Sequence, residues 1–368
     1  MDIRLENVLE YEQPTKYIVK SENYSDDFAL PVLTAGKSFV LGFTDETDGI
    51  CKASESPVII FDDFTADCKY VDFDFKVKSS AMKILHKANT EDNLKYYFYA
   101  MQAIDYTPFS HKRVWISEYS KFKIKNRSIA EQNNIVKELD TVATAIDNAK
   151  QRLNALDELV KSRFIEMFGH PDANEKGWEK SKLENFINVV GGYAFKSQKY
   201  LSKGIPVLRI CNINAGYFRD TNLVFYQEDS ALEKYKIYPN DLVISLTGTA
   251  GKDDYGNICL MDSTYGVYYL NQRNAKIEIK HNFNRFFLMY LFAHPEIKQR
   301  LTGKNHGIRQ GNILNKDILE LDVYVPPIEL QNEFADFVKL IDKSKFIVQK
   351  QIDDLQELLD SKMDEYFG

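Results

Sequence analysis

Asp62-Asp63, followed by Asp72-Phe73-Asp74-Phe75-Lys76, supplies the residue types of a metal-dependent nuclease. Such a site needs two acids and a lysine that converge to hold Mg2+ and position water. The alternation places Asp72 and Asp74 on one face of a strand, with Val71, Phe73 and Phe75 turned inward. A half-solvated strand accounts for that pattern, and the later half of the chain lacks it. Ala35-Gly36-Lys37-Ser38 ends like a phosphate-binding loop, but the glycine required five positions before Gly36 is Pro31. The cradle therefore cannot form. Gly248-Thr249-Ala250-Gly251-Lys252 fails in the same way, and Gly191-Gly192 is no dinucleotide fingerprint. The Asn-Pro-Pro-aromatic signature of an aminomethyltransferase does not occur. The six histidines show no metal-ligand spacing. Cys51, Cys68, Cys211 and Cys259 form no CxxC pair and read as reduced packing residues of a cytoplasmic protein. The sequence thus offers no catalytic residue, no metal site and no cofactor site of its own.

Any function must then come from how the chain is built. Segment 128–169 recurs without a gap as 327–368, at a constant offset of 199. Ten positions are identical, among them Gln132/Gln331, Asn133/Asn332, Leu156/Leu355, Ser162/Ser361 and the closing Phe168-Gly169/Phe367-Gly368. In the first copy Ile135, Leu139, Val142, Ile146, Ala149, Leu153, Leu156 and Val160 alternate at spacings of four and three, the seam of a coiled coil. The second copy keeps the seam as Phe334, Val338, Ile341, Lys345, Val348, Ile352, Leu355 and Leu359, broken only at Lys345. Neither copy has an internal proline or glycine. Each predicts a helix about 60 Å long at 1.5 Å per residue. The two stripes would cover each other, in a direction the pattern leaves open.

A period near 200 residues is too long for a solenoid and implies two copies of a domain plus its helix. Residues 1–127 and 170–326 echo each other in order. Arg4-Leu5-Glu6-Asn7 matches Lys182-Leu183-Glu184-Asn185, and Leu30-Pro31-Val32-Leu33 matches Ile205-Pro206-Val207-Leu208. Pro57–Ile60 resembles Asp241–Ile244, and Tyr96–Tyr99 resembles Phe286–Met289. His111-Lys112-Arg113 resembles the surroundings of His306 and Arg309. Short β-rich runs punctuated by Gly, Asn and Asp, with helices over 91–104 and 284–301, make both domains mixed. The expected fold is α+β. Domains at 1–127 and 170–326 are separated and followed by helices at 128–169 and 327–368, which pair as an intramolecular coiled coil in a pseudo-two-fold repeat. No run is long enough to span a membrane, and the charged start MDIRLENVLEYEQ has no apolar leader core.

Charge is uneven. The chain nets −7, yet residues 182–315 carry 17 Lys and Arg against 11 Asp and Glu. Residues 1–127 carry 17 against 20. The second domain has the sign of a phosphate-facing surface.

Two variable domains, each followed by a heptad helix that opens Pro/Ser-Ile-x-x-Gln-Asn and closes Phe-Gly, resemble the specificity subunit of type I restriction–modification systems. The resemblance covers the whole chain. Segments 192–214, 240–252 and 306–327 look like one target-recognition domain, and VLEYEQPTKYIVKS with LPVLTAGKS looks like another subtype. Ser128 replaces the usual opening proline, which would loosen that turn, and Lys345 interrupts the seam, marking register or a partner contact.

The resemblance implies a non-catalytic, cytoplasmic subunit whose domains each read half of a bipartite double-stranded DNA target. The paired helices would fix the unread spacer and dock two methyltransferase subunits for adenine N6 methylation. Two restriction subunits would add cleavage. S-adenosylmethionine, ATP and Mg2+ would belong to those partners. Phosphate contacts call for Lys and backbone N–H groups, and base readout for Arg, Lys, Asn, Gln and Ser/Thr. In the second domain the expected DNA-binding residues are Lys196, Ser197, Lys199, Tyr200, Arg209, Asn212, Asn214, Thr247, Thr249, Lys252, Lys304, His306, Arg309 and Gln310. In the first they are Lys37, Ser38, Thr65, Lys69, His111, Lys112 and Arg113. Two alternatives stand beside this reading: a nuclease using Asp62, Asp63, Asp74 and Lys76, and a coiled-coil scaffold without DNA contact.

Overall fold

The computed structural model describes residues 1–368 except 37, 111, 215, 253 and 304–309. The chain forms two compact units, Met1–Gln151 with Gln349–Gly368, and Arg152–Val348.

The first unit contains β1 (Asp2–Arg4), β2 (Leu9–Glu12), β3 (Leu30–Leu33), β4 (Val40–Thr44), β5 (Val58–Asp62), β6 (Cys68–Val71), β7 (Lys76–Val77), β8 (Met82–Lys87), α1 (Leu94–Gln102) and β9 (Lys123–Lys125). Helix α2 (Ile129–Phe168) begins in this unit and ends in the second. The second unit continues with β10 (Glu179–Lys182), β11 (Ile187–Gly191), β12 (Ile205–Leu208), β13 (Val224–Tyr226), β14 (Lys236–Ile237) and β15 (Leu242–Ser245). Next come β16 (Thr247–Thr249), β17 (Ile258–Leu260), β18 (Tyr268–Leu270), β19 (Asn274–Ile279), α3 (Arg285–Ala293) and α4 (Pro295–Thr302). Then come β20 (Gln310–Asn312), α5 (Asn315–Leu319), β21 (Asp322–Val325) and α6 (Ile328–Phe367), the last ending in the first unit.

Both units use one plan. A four-stranded antiparallel sheet has the order β2-β8-β5-β6 in the first and β11-β19-β15-β17 in the second. Its inner strand is buried along its whole length in both, as Val58–Asp62 and Leu242–Ser245. Side chains alternate between faces. Ile59 and Phe61 enter a core shared with α1 and the long helices, while Val58 and Ile60 enter a second core. Leu242 and Ile244 likewise face α3 and the long helices, and Val243 faces the other way. Beyond that second face lies a smaller sheet, β4-β3-β7 or β13-β12-β18-β14, with one parallel pair in each.

The repeated Gln-Asn has a structural meaning. Gln132 is buried; its Oε1 accepts from the Asn93 backbone N–H at 2.9 Å, and Asn133 Oδ1 accepts from Asn93 Nδ2 at 2.8 Å. Asn93 is the N-cap of α1, accepting from the Lys95 N–H. Gln331 and Asn332 grip Asn284, the N-cap of α3, at 2.9 Å in both contacts. Each long helix therefore starts clamped to the short helix of the domain before it. Its closing phenylalanine lies against the other short helix: Phe168 is 4.7 Å from Phe287, and Phe367 is 5.4 Å from Tyr96. The clamp sets the true equivalence as Tyr96 with Phe287, one residue away from the alignment expected from aromatic content.

The helices pair antiparallel within each unit. Glu138 accepts from Lys362 at 2.6 Å and from the Tyr366 hydroxyl at 2.7 Å in the first. Phe164 and Phe168 both lie 5.5 Å from Phe334 in the second. Lys345, the break in the seam, forms an ion pair with Asp157 of the facing helix. Ser128 does not loosen its turn. Its backbone N–H donates to Glu131 Oε2 at 2.9 Å, and its hydroxyl donates to the same oxygen at 2.7 Å. That is a capping box in place of the proline.

Two local expectations are corrected. The helix expected over 284–301 is two helices, because Pro295 drives His294 into extended geometry (φ −64°, ψ 131°). The strand expected through Asp72–Phe75 stops at Val71, and Phe73 is exposed. Among the described residues no helix is long and apolar enough to cross a membrane.

Candidate nucleic-acid interface

The nuclease arrangement does not assemble. Asp62 Oδ1 accepts from the backbone N–H groups of Phe64 and Thr65, at 2.8 and 3.2 Å, and so shapes the turn after β5. Asp63 is buried, 3.3 Å from the Lys83 ammonium, and accepts from the Trp115 N–H at 2.9 Å. Asp74 pairs with Lys52 at 2.8 Å and with the Ser54 hydroxyl at 2.6 Å. Lys76 is buried against Glu46 at 2.8 Å and holds that carboxyl below its ordinary range. Each group is committed to a separate structural partner. None of these acids belongs to a group of three possible metal ligands among the described residues. Three of the four thiols are equally ill suited to nucleophilic chemistry. Burial pushes the Cys51 thiol up to about 11 and those of Cys68 and Cys259 up to about 12. Cys211 departs from the packing role expected of all four, because it is exposed.

The polar segments singled out in the second domain do come together. β11, β12, β15 and β18 all end at one edge of the two sheets, where β19 begins. Backbone bonds link the loops leaving that edge: Gln272 N–H to Tyr193 O at 2.9 Å, Leu246 N–H to Arg273 O at 2.8 Å, and Ile313 N–H to Leu246 O at 2.8 Å. Asn274 lies at the centre, fully buried, and its Nδ2 donates to Leu208 O at 2.8 Å. The segments bearing Lys196–Tyr200, Arg209–Asn214, Thr247–Lys252 and Gln310 are thus neighbours at one end of the domain.

Individual residues divide into two groups. Lys196, Ser197, Lys199, Thr249, Lys252 and Gln310 are exposed. Thr249 and Gln310 face each other across the ribbon formed by β16 and β20. Tyr200 is half-buried, packed beside Phe195 and Ile205. Arg209 is half-buried, and its guanidinium donates to Asn222 O. Asn212 is a correction: it is fully buried, and its amide donates to Arg219 O at 2.9 Å and Thr221 O at 3.0 Å. It shapes its loop and presents nothing to a base edge. Asn214 and Thr247 are half-buried, each with a shielded side-chain oxygen. Lys304, His306 and Arg309 lie outside the described residues.

The glycines of the 246–252 turn also have a packing role. A Cβ on Gly248 would sit 2.8 Å from Tyr255, and one on Gly311, its cross-strand partner, 2.4 Å from the same ring. The ribbon therefore closes over the Tyr255 ring only with glycine at both places. The Thr249 N–H donates to Asp254 Oδ1 at 2.7 Å and so is not open to a phosphate. Gly311→Ala should lower stability by about 1–3 kcal/mol through overpacking. Chemical denaturation checks this, and an unchanged midpoint would show that the ribbon is not closed on Tyr255.

In the first domain the corresponding edge gathers the turn after β3, the turn between β7 and β8, the β5–β6 hairpin and residues 112–114. The joining bonds are Lys78 N–H to Leu33 O at 2.9 Å and Val114 N–H to Asp63 O at 2.9 Å. Ser38, Thr65, Lys112 and Arg113 are exposed there. Lys69 is a correction in part, because it stands within β6, half-buried and 3.8 Å from Asp67. Lys37 and His111 lie outside the described residues.

Several exposed residues at the second domain's edge escaped the sequence reading. Gln272 and Arg273 occupy the β18–β19 turn, bonded through their backbones to the same loops. Arg219 lies over the Tyr217 ring, 4.9 Å from its centroid, and donates to its hydroxyl at 2.8 Å. The polar run Asn271-Gln272-Arg273-Asn274 between two apolar runs was the available signal.

The sequence and the fold resemble those of known proteins. Residues 175–357 match the model of the type I restriction modification DNA specificity domain. The chain is 47% identical over 162 residues to the EcoR124I/EcoR124II specificity subunit of Escherichia coli, a match covering 41% of this chain and 40% of that protein. It is 23% identical over 305 residues to the MjaVIII specificity subunit of Methanocaldococcus jannaschii, covering 76% and 71%. The chain thus spans well under half of the first relative's length and about seven tenths of the second's. The fold matches the crystal structure of the type I restriction–modification S subunit from M. genitalium at a TM-score of 0.57 and 16% identity, over 100% of this chain and 96% of that one. With the duplicated domain-plus-helix plan, these matches show that the chain belongs to the family of type I restriction–modification specificity subunits.

Proposed function

We propose that this chain is the DNA-reading, non-catalytic subunit of a type I system, each domain contacting one half of a bipartite duplex target. The observation that carries this reading is the convergence, in each domain, of loops rich in exposed Lys, Arg, Gln, Ser and Thr at one edge of the sheets. In the second domain Lys196, Lys199, Lys252 and Arg273 supply phosphate-seeking charge, and Thr249, Gln310 and Gln272 supply groups suited to base edges. Paired helices joining two DNA-reading domains would make the separation of the half-sites a matter of geometry. S-adenosylmethionine, ATP and Mg2+ belong, on this reading, to methyltransferase and restriction subunits, two of each, and the complex works in the cytoplasm.

A site for the methyltransferase is suggested by α6, where Leu340, Phe346 and Ile347 are exposed. Apolar side chains clustered on one segment of a helix mark an interaction surface. Phe346→Glu with Ile347→Glu should abolish co-purification with the methyltransferase subunit while leaving the circular dichroism spectrum unchanged. Retained co-purification would remove this patch from the interface.

DNA binding by the assembled complex, followed over a range of salt, tests the reading. Lys252→Ala should weaken binding to all sequences and reduce the salt slope by about 1. Gln310→Ala should cost about 1–3 kcal/mol on the cognate duplex only. Unchanged affinity and slope in both would contradict the assignment of this edge.

A further inference from the structure

We propose that His170, His294 and Glu296 form a binding site for a divalent transition-metal ion, with zinc the best match. The sequence gives no hint of it, since His170 and His294 are 124 positions apart. The fold brings them together: one ligand atom from each of the three residues lies within 4.8 Å of the other two. His170 follows Gly169, which ends α2 in the left-handed region (φ +78°) and so turns the chain toward the α3–α4 corner. His294 is the residue that Pro295 forces out of helical geometry, and Glu296 is in the first turn of α4. The break between α3 and α4 thus creates the site.

A further observation points to a ligand. His294 Nδ1 and Glu296 Oε2 are shielded from solvent, 3.8 Å apart, and neither has a hydrogen-bond partner among the described residues. Shielded polar atoms without partners are unfavourable, and a cation coordinated by both would satisfy them together. Two imidazoles and one carboxylate are a ligand set that zinc accepts, with water completing the tetrahedron. Ligand atoms in such a site are about 3.4 Å apart, given metal bonds near 2.1 Å. Rotation of the exposed His170 and the half-exposed Glu296 side chains closes the difference. Bound metal would tie the end of α2 to the start of α4, within the second unit.

The test uses the full chain without an affinity tag, freed of metal and titrated with Zn2+ by calorimetry, then with Co2+ by absorption. The expected result is one ion per chain, a raised Tm, and a Co2+ spectrum of nitrogen and oxygen ligands without thiolate charge-transfer bands. His170→Ala, at an exposed position, should weaken binding by about tenfold or more and abolish the Tm rise, and His170→Cys should restore binding. Absence of stoichiometric binding would overturn the proposal. So would binding that survives His170→Ala, or binding that is lost in Cys211→Ser.

Discussion

Asp63→Ala is expected to destabilise the first unit by about 3–5 kcal/mol, the cost of leaving a buried charge without its partner. Lys83 and Asp63 side chains are each 2% exposed, and their charged atoms lie 3.3 Å apart. Removing the carboxylate strands the Lys83 ammonium and also orphans the Trp115 N–H, which donates to Asp63 at 2.9 Å. Trp115 is packed 5.0 Å from Phe61 on the inner strand, so the loss reaches the core that holds α1. Replacing both members with apolar residues, Asp63→Leu with Lys83→Met, should cost far less than the single change. Urea denaturation of the three variants checks this. Equal loss in the single and double variants would mean that the charge pair is not the source of the effect.

Gln331→Ala should cost about 2–4 kcal/mol in the second unit. Gln331 is fully buried; its Oε1 accepts from Asn284, and its Nε2 donates to Asn282 O at 3.0 Å and Pro326 O at 2.9 Å. An alanine leaves one donor and two acceptors without partners, each worth about 1–3 kcal/mol when desolvated, with partial relaxation. Hydrogen exchange at α3 is the sharpest readout, because Asn284 caps that helix. The Asn284 amide should lose protection ahead of the sheet. If exchange rises uniformly instead, the clamp is not local. Gln132→Ala should act in the same manner on α1, with one acceptor fewer exposed.

The duplicated plan was legible from particular residues. The seam at Ile135–Val160 and its copy is a periodicity, and periodicity survives without knowledge of tertiary contacts. Gln132/Gln331 and Phe168/Phe367 were visible as identities, but their roles were not, because both act on residues of the short helices far away in sequence. Antiparallel pairing was invisible for the same reason. A heptad stripe is nearly the same read in either direction, and the deciding contacts are Lys345 with Asp157 and Lys362 with Glu138.

The candidate interface was only half legible. Lys196, Thr249 and Gln310 are exposed, as polar residues expected to meet DNA must be. Asn212 misled because an asparagine after a strand is as suited to holding its own loop as to holding a base. Arg273 and Gln272 were missed because their turn joins the others through backbone bonds to Tyr193 and Leu246, residues far away in sequence. The glycine at 248, in a turn whose composition suits phosphate, instead makes room for Tyr255, as does Gly311 across the ribbon. Such an ambiguity is a matter of distance, which a sequence does not contain.

On the proposed function, two DNA-reading domains joined by paired helices select a split DNA target. Co-expressing this chain with a type I methyltransferase subunit that binds it, in a host without other adenine methylation, and mapping N6-methyladenine across the genome tests it most directly. The expected result is one motif made of two half-sites separated by a constant number of unread base pairs. Gln310→Ala should alter one half-site and leave the gap unchanged. A continuous motif, or no methylation despite a stable complex, would contradict it.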